Sequence, residues 1–273
     1  MFIKSFLKKI KPLFFLVKFL KIRVFKTNSE IDNILLKKLY FDISIDIGSN
    51  YGSYTSILRN NSKKVISVEP NNTILNFQKK ILGYNRIHYY NVAIGKENNT
   101  VILNIPLKNN SYVYEEAFVS SAILSDKYHH VNQKIGDELF YDLECIDFIK
   151  IDVEGYENKV LDSLSKSINK FLPIILIEIE ARHSSKQNIN KLLNNLKGLG
   201  YQFYYMKSGQ KLSKIKDIDF NWISNVQNDL NFKKDSNKSI YNSKSTKDYI
   251  NNFWCINQTS KSKNDQTLSK FLI

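Results

Sequence analysis

Along the chain, short apolar stretches with the two-residue or unbroken pattern of strands alternate with segments whose apolar positions recur every three or four residues. "FDISIDI" (41–47) predicts a buried strand, and "GSYTSILRN" beyond the following turn predicts a helix. "KKVISVEP" predicts a second strand stopped by Pro70, and "NNTILNFQKKIL" a second helix capped by Asn71 or Asn72. "RIHYYNVAIG" reads as a third strand ending at Gly95, and "TVILNIPL" as an added strand or hairpin arm. Residues 108–140 are mostly polar and read as an insertion or lid. Then come strand "CIDFIKIDVEG", helix "YENKVLDSLSKSI", strand "PIILIEIE", helix "KQNINKLLNNLKGLG" and strand "YQFYYM", with "NFWCI" (252–256) as a late strand. This alternation predicts right-handed crossover units. The expected fold is α/β: a doubly wound, mostly parallel sheet of about seven strands.

In such sheets ligands sit outside the carboxyl ends of the strands, where the first turn meets the first helix. Here that turn reads D-I-G-S-N-Y-G, from Asp46 to Gly52. Gly48 permits a sharp turn and Gly52 lets the helix start pack closely. Twenty-one residues after Gly48, at the end of the second strand, stands Glu69, placed to accept hydrogen bonds from ribose hydroxyls. A diphosphate-binding turn would read G-x-G-x-x-G, but this one lacks the middle glycine and begins with an acid. Asp46 repels a diphosphate and suits an ammonium, so S-adenosylmethionine (SAM) fits better than NAD. Glycines after strands also occur merely to make turns, and that reading stays open.

A second dense stretch, "DFIKIDVEGYE" (147–157), belongs to a strand expected fourth in the core sheet and next to the first. Its carboxyl end carries Asp152, Glu154 and Glu157. Three roles are open: general base or hydroxyl anchor, hard-cation ligand with Glu178, or helix cap. Glu157 is read as a cap or solvated residue and Asp152 as functional, because a carboxylate at that strand end lacks a structural reason. A divalent metal is conceivable, although no histidine pair or thiolate supports one. Among the four histidines, His129 and His130 are read as solvated loop residues, and His88 as a surface or packed strand residue. His183, just past the fifth strand, is the best placed.

Composition narrows the class. The 273 residues are 42% hydrophobic and 24% charged, which predicts a globular chain. Two cysteines, Cys145 and Cys255, exclude a disulfide framework or thiolate cage and fit a reducing cytoplasm, with Cys145 read as buried. The net charge of +14 is concentrated: residues 1–27 hold seven Lys and one Arg with no acid. Ile3, Phe6, Ile10, Leu13, Val17, Leu20 and Val24 share one helical face there, opposite Lys4, Lys8, Lys11 and Lys18. The lysines break the apolar run too early for a membrane span. The segment is read as an amphipathic helix, docked either on an anionic membrane face through residues 1–25 or on its own domain. The expected division is 1–30 basic N-terminal segment, 31–258 catalytic domain and 259–273 polar tail.

Together "SIDIGSNYGSYTSI", "VISVEPN", "NVAIG", "DFIKIDVEGYENKVL" and "PIILIEIE" resemble, in order across residues 41–180, the FkbM family of SAM-dependent methyltransferases on the class I Rossmann-like fold. The resemblance implies methyl transfer to a hydroxyl, often of a sugar or glycosylated product. It implies that Asp46, Gly48, Asn50 and Gly52 line the methionine end of the cofactor, Glu69 holds the ribose and Ala93 lies near the adenine. Asp152 and Glu154 match the family's acidic motif beside the methyl group. Ser49 stands where the family often has Ala, and residues 108–140 and 207–273 match no family pattern. Asp152 is the expected base or hydroxyl anchor, with Glu154, Glu178 and His183 as alternatives. The expected partner is a hydroxyl-bearing small molecule or glycan. Two other classes compete. A nucleic-acid methyltransferase would spread its basic residues along one face, whereas here they gather at the N-terminus. A nonenzymatic membrane adaptor would keep the fold as a scaffold and bind no SAM.

Overall fold

The computed structural model describes residues 32–207, 211–227, 250–259 and 264–272, so the expected N-terminal amphipathic helix lies outside the described residues. The first part of the chain forms α1 (Asp32–Leu36), β1 (Phe41–Ile47), α2 (Ser53–Asn61), β2 (Ser62–Val68), α3 (Asn72–Leu82) and β3 (Ile87–Tyr90). Next come β4 (Ala93–Ile94), β5 (Asn99–Ile105), β6 (Leu107–Lys108), β7 (Ser111–Tyr112), a 3₁₀ turn (Tyr114–Glu116), β8 (Phe118–Ser120) and β9 (Lys127–Lys134). They are followed by α4 (Gly136–Phe140), β10 (Phe148–Ile151), α5 (Glu157–Ser163), α6 (Ser165–Phe171), β11 (Ile174–Glu178) and α7 (Lys186–Gly198). The last are β12 (Tyr201–Lys207), β13 (Lys211–Ile215), α8 (Phe220–Gln227), β14 (Asn252–Asn257) and α9 (Asp265–Ser269).

The central sheet has the order β13-β12-β14-β11-β10-β1-β2-β3. From β3 to β11 all neighbours are parallel. β14 runs antiparallel to both β11 and β12. The sheet therefore has eight strands rather than about seven. The extra one, β13, folds back antiparallel on β12 and pairs Met206 with Leu212. As expected, β10 lies beside β1, with Asp46 opposite Lys150.

Both faces are covered because the central strands carry apolar side chains on each. Ile45, Ile47, Ile66, Val68, Ile149, Ile151, Ile175 and Ile177 join Val160, Leu164, Ile189 and Leu193 from α5, α7 and the α5–α6 link. Phe41, Val65, Phe148 and Leu176 face Leu35, Leu36, Tyr54 and Leu58 from α1 and α2. Each fully buried Ile or Leu contributes roughly 1.5–3 kcal/mol. Asn71 caps α3, its side chain accepting from the Thr73 and Ile74 amides, as the sequence predicts.

Other expectations need correction. The single strand read over 86–95 is two: β3 belongs to the central sheet and β4 to a second sheet. The break falls where Asn91 turns its side-chain amide to the Glu69 and Pro70 carbonyls. The helix read over 156–168 divides at Leu164 into α5 and α6. Residues 264–272 are not a free polar tail: Leu268 and Phe271 are buried in the core and Leu272 bridges to Leu212. Cys145 is half-buried, not buried. Among the described residues no helix is long and apolar enough to cross a membrane.

The second sheet, β4-β9-β5-β8, joins β8 and β9 from the segment read as an insertion to β5, the strand read from "TVILNIPL", and to β4, read as the end of the third strand. Ala93, Val101, Leu103 and Val131 form its small apolar core. His129 and His130 therefore lie on an exposed strand rather than in a loop. This sheet stands over the carboxyl ends of β1, β2 and β10.

Candidate active site

The strand ends are tied into one rim by backbone hydrogen bonds. The Gly48 and Ser49 amides both donate to the Val68 carbonyl at 3.0 Å, and the Asp152 amide donates to the Ile47 carbonyl at 3.0 Å. Above the rim opens a crevice with about 650 Å³ of empty space, partly open to solvent. Its floor includes Ile47, Gly48, Asn50, Val68 and Glu69, and Asp152, Val153, Glu154 and Tyr156 form one side. The opposing wall comes from the second sheet and its turn: Ala93, Ile94, Leu103, Tyr114, Glu115, Ala117 and Val119. Two ties hold that wall down. Asn50 Nδ2 donates to the Glu115 carbonyl at 3.2 Å, and the Tyr156 hydroxyl meets Gln133 Oε1 at 2.9 Å.

Six residues expected at the site face this crevice: Gly48, Asn50, Glu69, Ala93, Asp152 and Glu154. Gly48 sits at φ 76°. A Cβ there would fall on the Asp152 carbonyl oxygen and within 2.8 Å of its carbonyl carbon, so only hydrogen fits between the two strand ends. Glu69 accepts the Asn71 amide at 2.8 Å and the Asn50 amide at 2.9 Å, which orients its carboxylate toward the crevice. Burial pushes its pKa up to about 7, against these two amides.

Three expected residues are elsewhere. Asp46 is buried beneath the floor, where the Thr55 hydroxyl donates to it at 2.6 Å, so its side chain does not line the crevice. Burial raises its pKa to about 6, while Thr55 and Lys150 hold it down. Gly52 packs α2 against α3: a Cβ would come within 2.5 Å of Gln78 Cγ and 2.9 Å of Leu82 Cδ1. Glu178 stands behind the rim, accepting from Asn251 Nδ2 at 2.7 Å. Burial, then Asp152, raise its pKa well above the ordinary value.

Glu154 adopts a left-handed conformation, φ 51°, uncommon for a residue with a side chain. Its carboxylate pairs with His183 Nδ1 at 2.9 Å. Burial raises the Glu154 pKa, and the Glu154 hydrogen bond raises that of His183. Glu157, read as a cap or solvated residue, is buried and accepts the Gly155 amide at 2.9 Å, which removes the solvated reading and ties the preceding turn to the first residue of α5.

Sequence reasoning missed Lys150. Its side chain is fully buried, with Nζ 3.1 Å from Asn252 Oδ1, 3.7 Å from Asp152 Oδ2 and 5.0 Å from the centre of the Tyr54 ring. The signal was a lone charge inside "FIKI", where every position is buried. Glu115 was missed too, because its turn follows no periodic pattern; Tyr114, which the sequence offers as a flat face for a sugar ring, does line the crevice. Among the described residues, a group of three side chains within metal-ligand reach is Asp42, Cys145 and Asp147, near the opposite ends of β1 and β10. Its carboxylates are already engaged: Asp147 Oδ2 accepts the Asp42 and Ile43 amides, and Lys63 pairs with Asp42 at 2.9 Å. It does not include Asp152, Glu154 or Glu178.

The pKa displacements bear on stability. Asp46, Glu69 and Glu157 carry folded values of about 6, 7 and 7 against ordinary values of 3.8, 4.5 and 4.5. The folded state therefore binds more protons than the unfolded chain between about pH 4 and 7, and stability drops as pH rises through that window. We expect the ligand-free melting temperature to be higher near pH 5 than near pH 7.5 by several degrees. Scanning calorimetry across that range checks this, and a melting temperature that climbs with pH contradicts it.

The Methyltransferase FkbM domain model matches residues 46–203, more than half of the 273-residue chain. The chain belongs to the FkbM methyltransferase family. No curated protein matches it. Among solved structures, the FkbM methyltransferase of Methylobacillus flagellatus KT aligns at 18% identity and TM-score 0.42, over 63% of this chain and 44% of that one. The FkbM chain described here thus spans under half the length of that relative. An rRNA methylase of Streptococcus thermophilus aligns at 14% identity and TM-score 0.39, over 66% of this chain and 87% of that one. A Streptococcus mutans protein in complex with SAH aligns at 12% identity and TM-score 0.38, over 66% and 89%.

Proposed function

We propose that this FkbM domain transfers the methyl group of SAM to a hydroxyl of a sugar, glycan or glycosylated product. The observation that carries this reading is the family's crevice itself, opened over Gly48 and bordered by Glu69, Asp152 and Glu154. The residues present fit the donor. Glu69 offers acceptor oxygens for ribose hydroxyls, Val92, Ala93 and Ile94 offer an apolar bed for adenine, and bare backbone at Gly48 leaves room for the methionine end. The donor supplies an electrophilic methyl carbon; the S–C pair stays on sulfur as the O–C bond forms, and the hydroxyl proton goes to a base.

Asp152 is the residue assigned to that base or anchor, its side chain 30% exposed at the rim. Lys150 lies beneath it, with Nζ 3.7 Å from Asp152 Oδ2. Glu154 and His183 stand beside it as a pair, and Glu178 acts from behind the rim. A wall without cations suits a neutral polyol better than a phosphate backbone. Contact with a membrane surface through residues 1–25, at the inner face of the cytoplasmic membrane, accompanies this reading as a proposal.

Calorimetry with SAM, followed by mass spectrometry of candidate glycans incubated with methyl-labelled SAM, tests the assignment. We expect saturable binding and a labelled methyl ether on one acceptor. Absence of SAM binding by the full chain removes the reading, and a label found on nitrogen or on RNA redirects it.

A further inference from the structure

The crevice is lined by charge of one sign. Among the described residues bordering it, the charged side chains are Glu69, Glu115, Asp152 and Glu154, with no Lys, Arg or His. Cations stand behind this wall. Lys150 is fully buried, 3.7 Å from Asp152, and His183 lies 2.9 Å from Glu154. Lys127 is turned onto the Tyr112 and Tyr114 rings, and Arg182 onto Glu180. Further acids, Asp46, Glu178 and Glu180, surround Lys150 and His183. Among the described residues, carboxylates thus outnumber the basic groups around the crevice, and the charged side chains that line it are all acidic.

We propose that this crevice discriminates by charge, holding SAM, a sulfonium, more tightly than S-adenosylhomocysteine (SAH), the uncharged thioether left after transfer. The inference rests on the donor reading above and extends it to how the site parts with its product. A charge a few ångströms from several carboxylates in a partly enclosed site gains enough to separate the two ligands by about tenfold or more. Burial first, and to a lesser extent the neighbouring Asp152 carboxylate, raise the pKa of Glu69 and of Glu154. A cation at the crevice relieves that crowding, and a thioether does not. Specific hydrogen bonds to ribose, adenine and the amino-acid end are common to both ligands, so the difference reports the sulfonium alone.

Titration calorimetry of the full wild-type chain with SAM, SAH and sinefungin, at pH 8 and low salt, tests this. Sinefungin carries an amine-bearing carbon where SAM carries its methylated sulfur, so it keeps the positive charge without a sulfonium. We expect SAM and sinefungin to bind at least about tenfold more tightly than SAH. Glu154→Gln should narrow the gap about threefold through loss on the SAM and sinefungin side, whereas a variant that merely loosens the fold weakens all three alike. SAH binding as tightly as SAM overturns the inference and leaves the methyltransferase reading intact. Binding of none of the three sinks both.

Discussion

Gly48→Ala is expected to cost roughly 4 kcal/mol or more and to remove detectable SAM binding. Two effects combine at this position. A left-handed residue with a Cβ costs about 1–2 kcal/mol by itself. The added carbon also lands on the Asp152 carbonyl, which belongs to backbone and cannot swing away. Relief requires β1 and β10 to part just where the Asp152 amide bonds Ile47. Gly83→Ala supplies a control free of close contacts, since Gly83 has φ 68° and ψ −163°, a conformation essentially reserved for glycine, and nothing within 4 Å of its virtual Cβ. Denaturant unfolding of both variants separates the effects: Gly83→Ala should lose only the conformational part. Equal losses in the two would show that the close approach at Gly48 is relieved at no cost.

Asp152→Asn should lower turnover by about 10²- to 10⁴-fold, the range of a lost general base. SAM affinity should change by less than about fivefold, because Asn keeps the side chain's shape and other carboxylates remain at the crevice. The variant leaves Lys150 facing a neutral amide at a distance that was 3.7 Å to a carboxylate oxygen. Turnover and donor affinity are measured separately, the first with the acceptor identified by mass spectrometry and the second by calorimetry. Near-normal turnover would take Asp152 out of the chemistry and move attention to Glu154 and His183.

Much of this layout is legible in the sequence, and the reasons for the rest are physical. β1 is legible from four apolar residues that alternate with Asp42, Ser44 and Asp46, and β10 from a short apolar stretch that only Lys150 interrupts. The turn after β1 is legible because a short linker between strand and helix needs glycine at a fixed place. Asp46 misled for the same reason that it stood out. Its position at the strand end is as expected, but strand parity turns its side chain into the layer with Thr55 and Lys150 instead of up into the crevice. Lys150 was hidden by the opposite logic, since one lysine in an apolar strand reads as a surface residue until three-dimensional neighbours supply its partners. Of the second sheet only β5 was legible, as "TVILNIPL"; the other strands are short and find their partners by pairings of high sequence separation, such as Asn99 with Gln133. Tyr114 and Glu115 reach the crevice only through that pairing.

The building of the crevice from two sheets divides its evolution. The floor is fixed by contacts as unforgiving as the one at Gly48, where one extra carbon cannot be admitted. The opposing wall hangs on β5, β8 and the Leu107–Tyr112 hairpin, which present side chains without carrying the main core. That wall can therefore be lengthened, trimmed or replaced without disturbing the close contact at Gly48 that sets the floor.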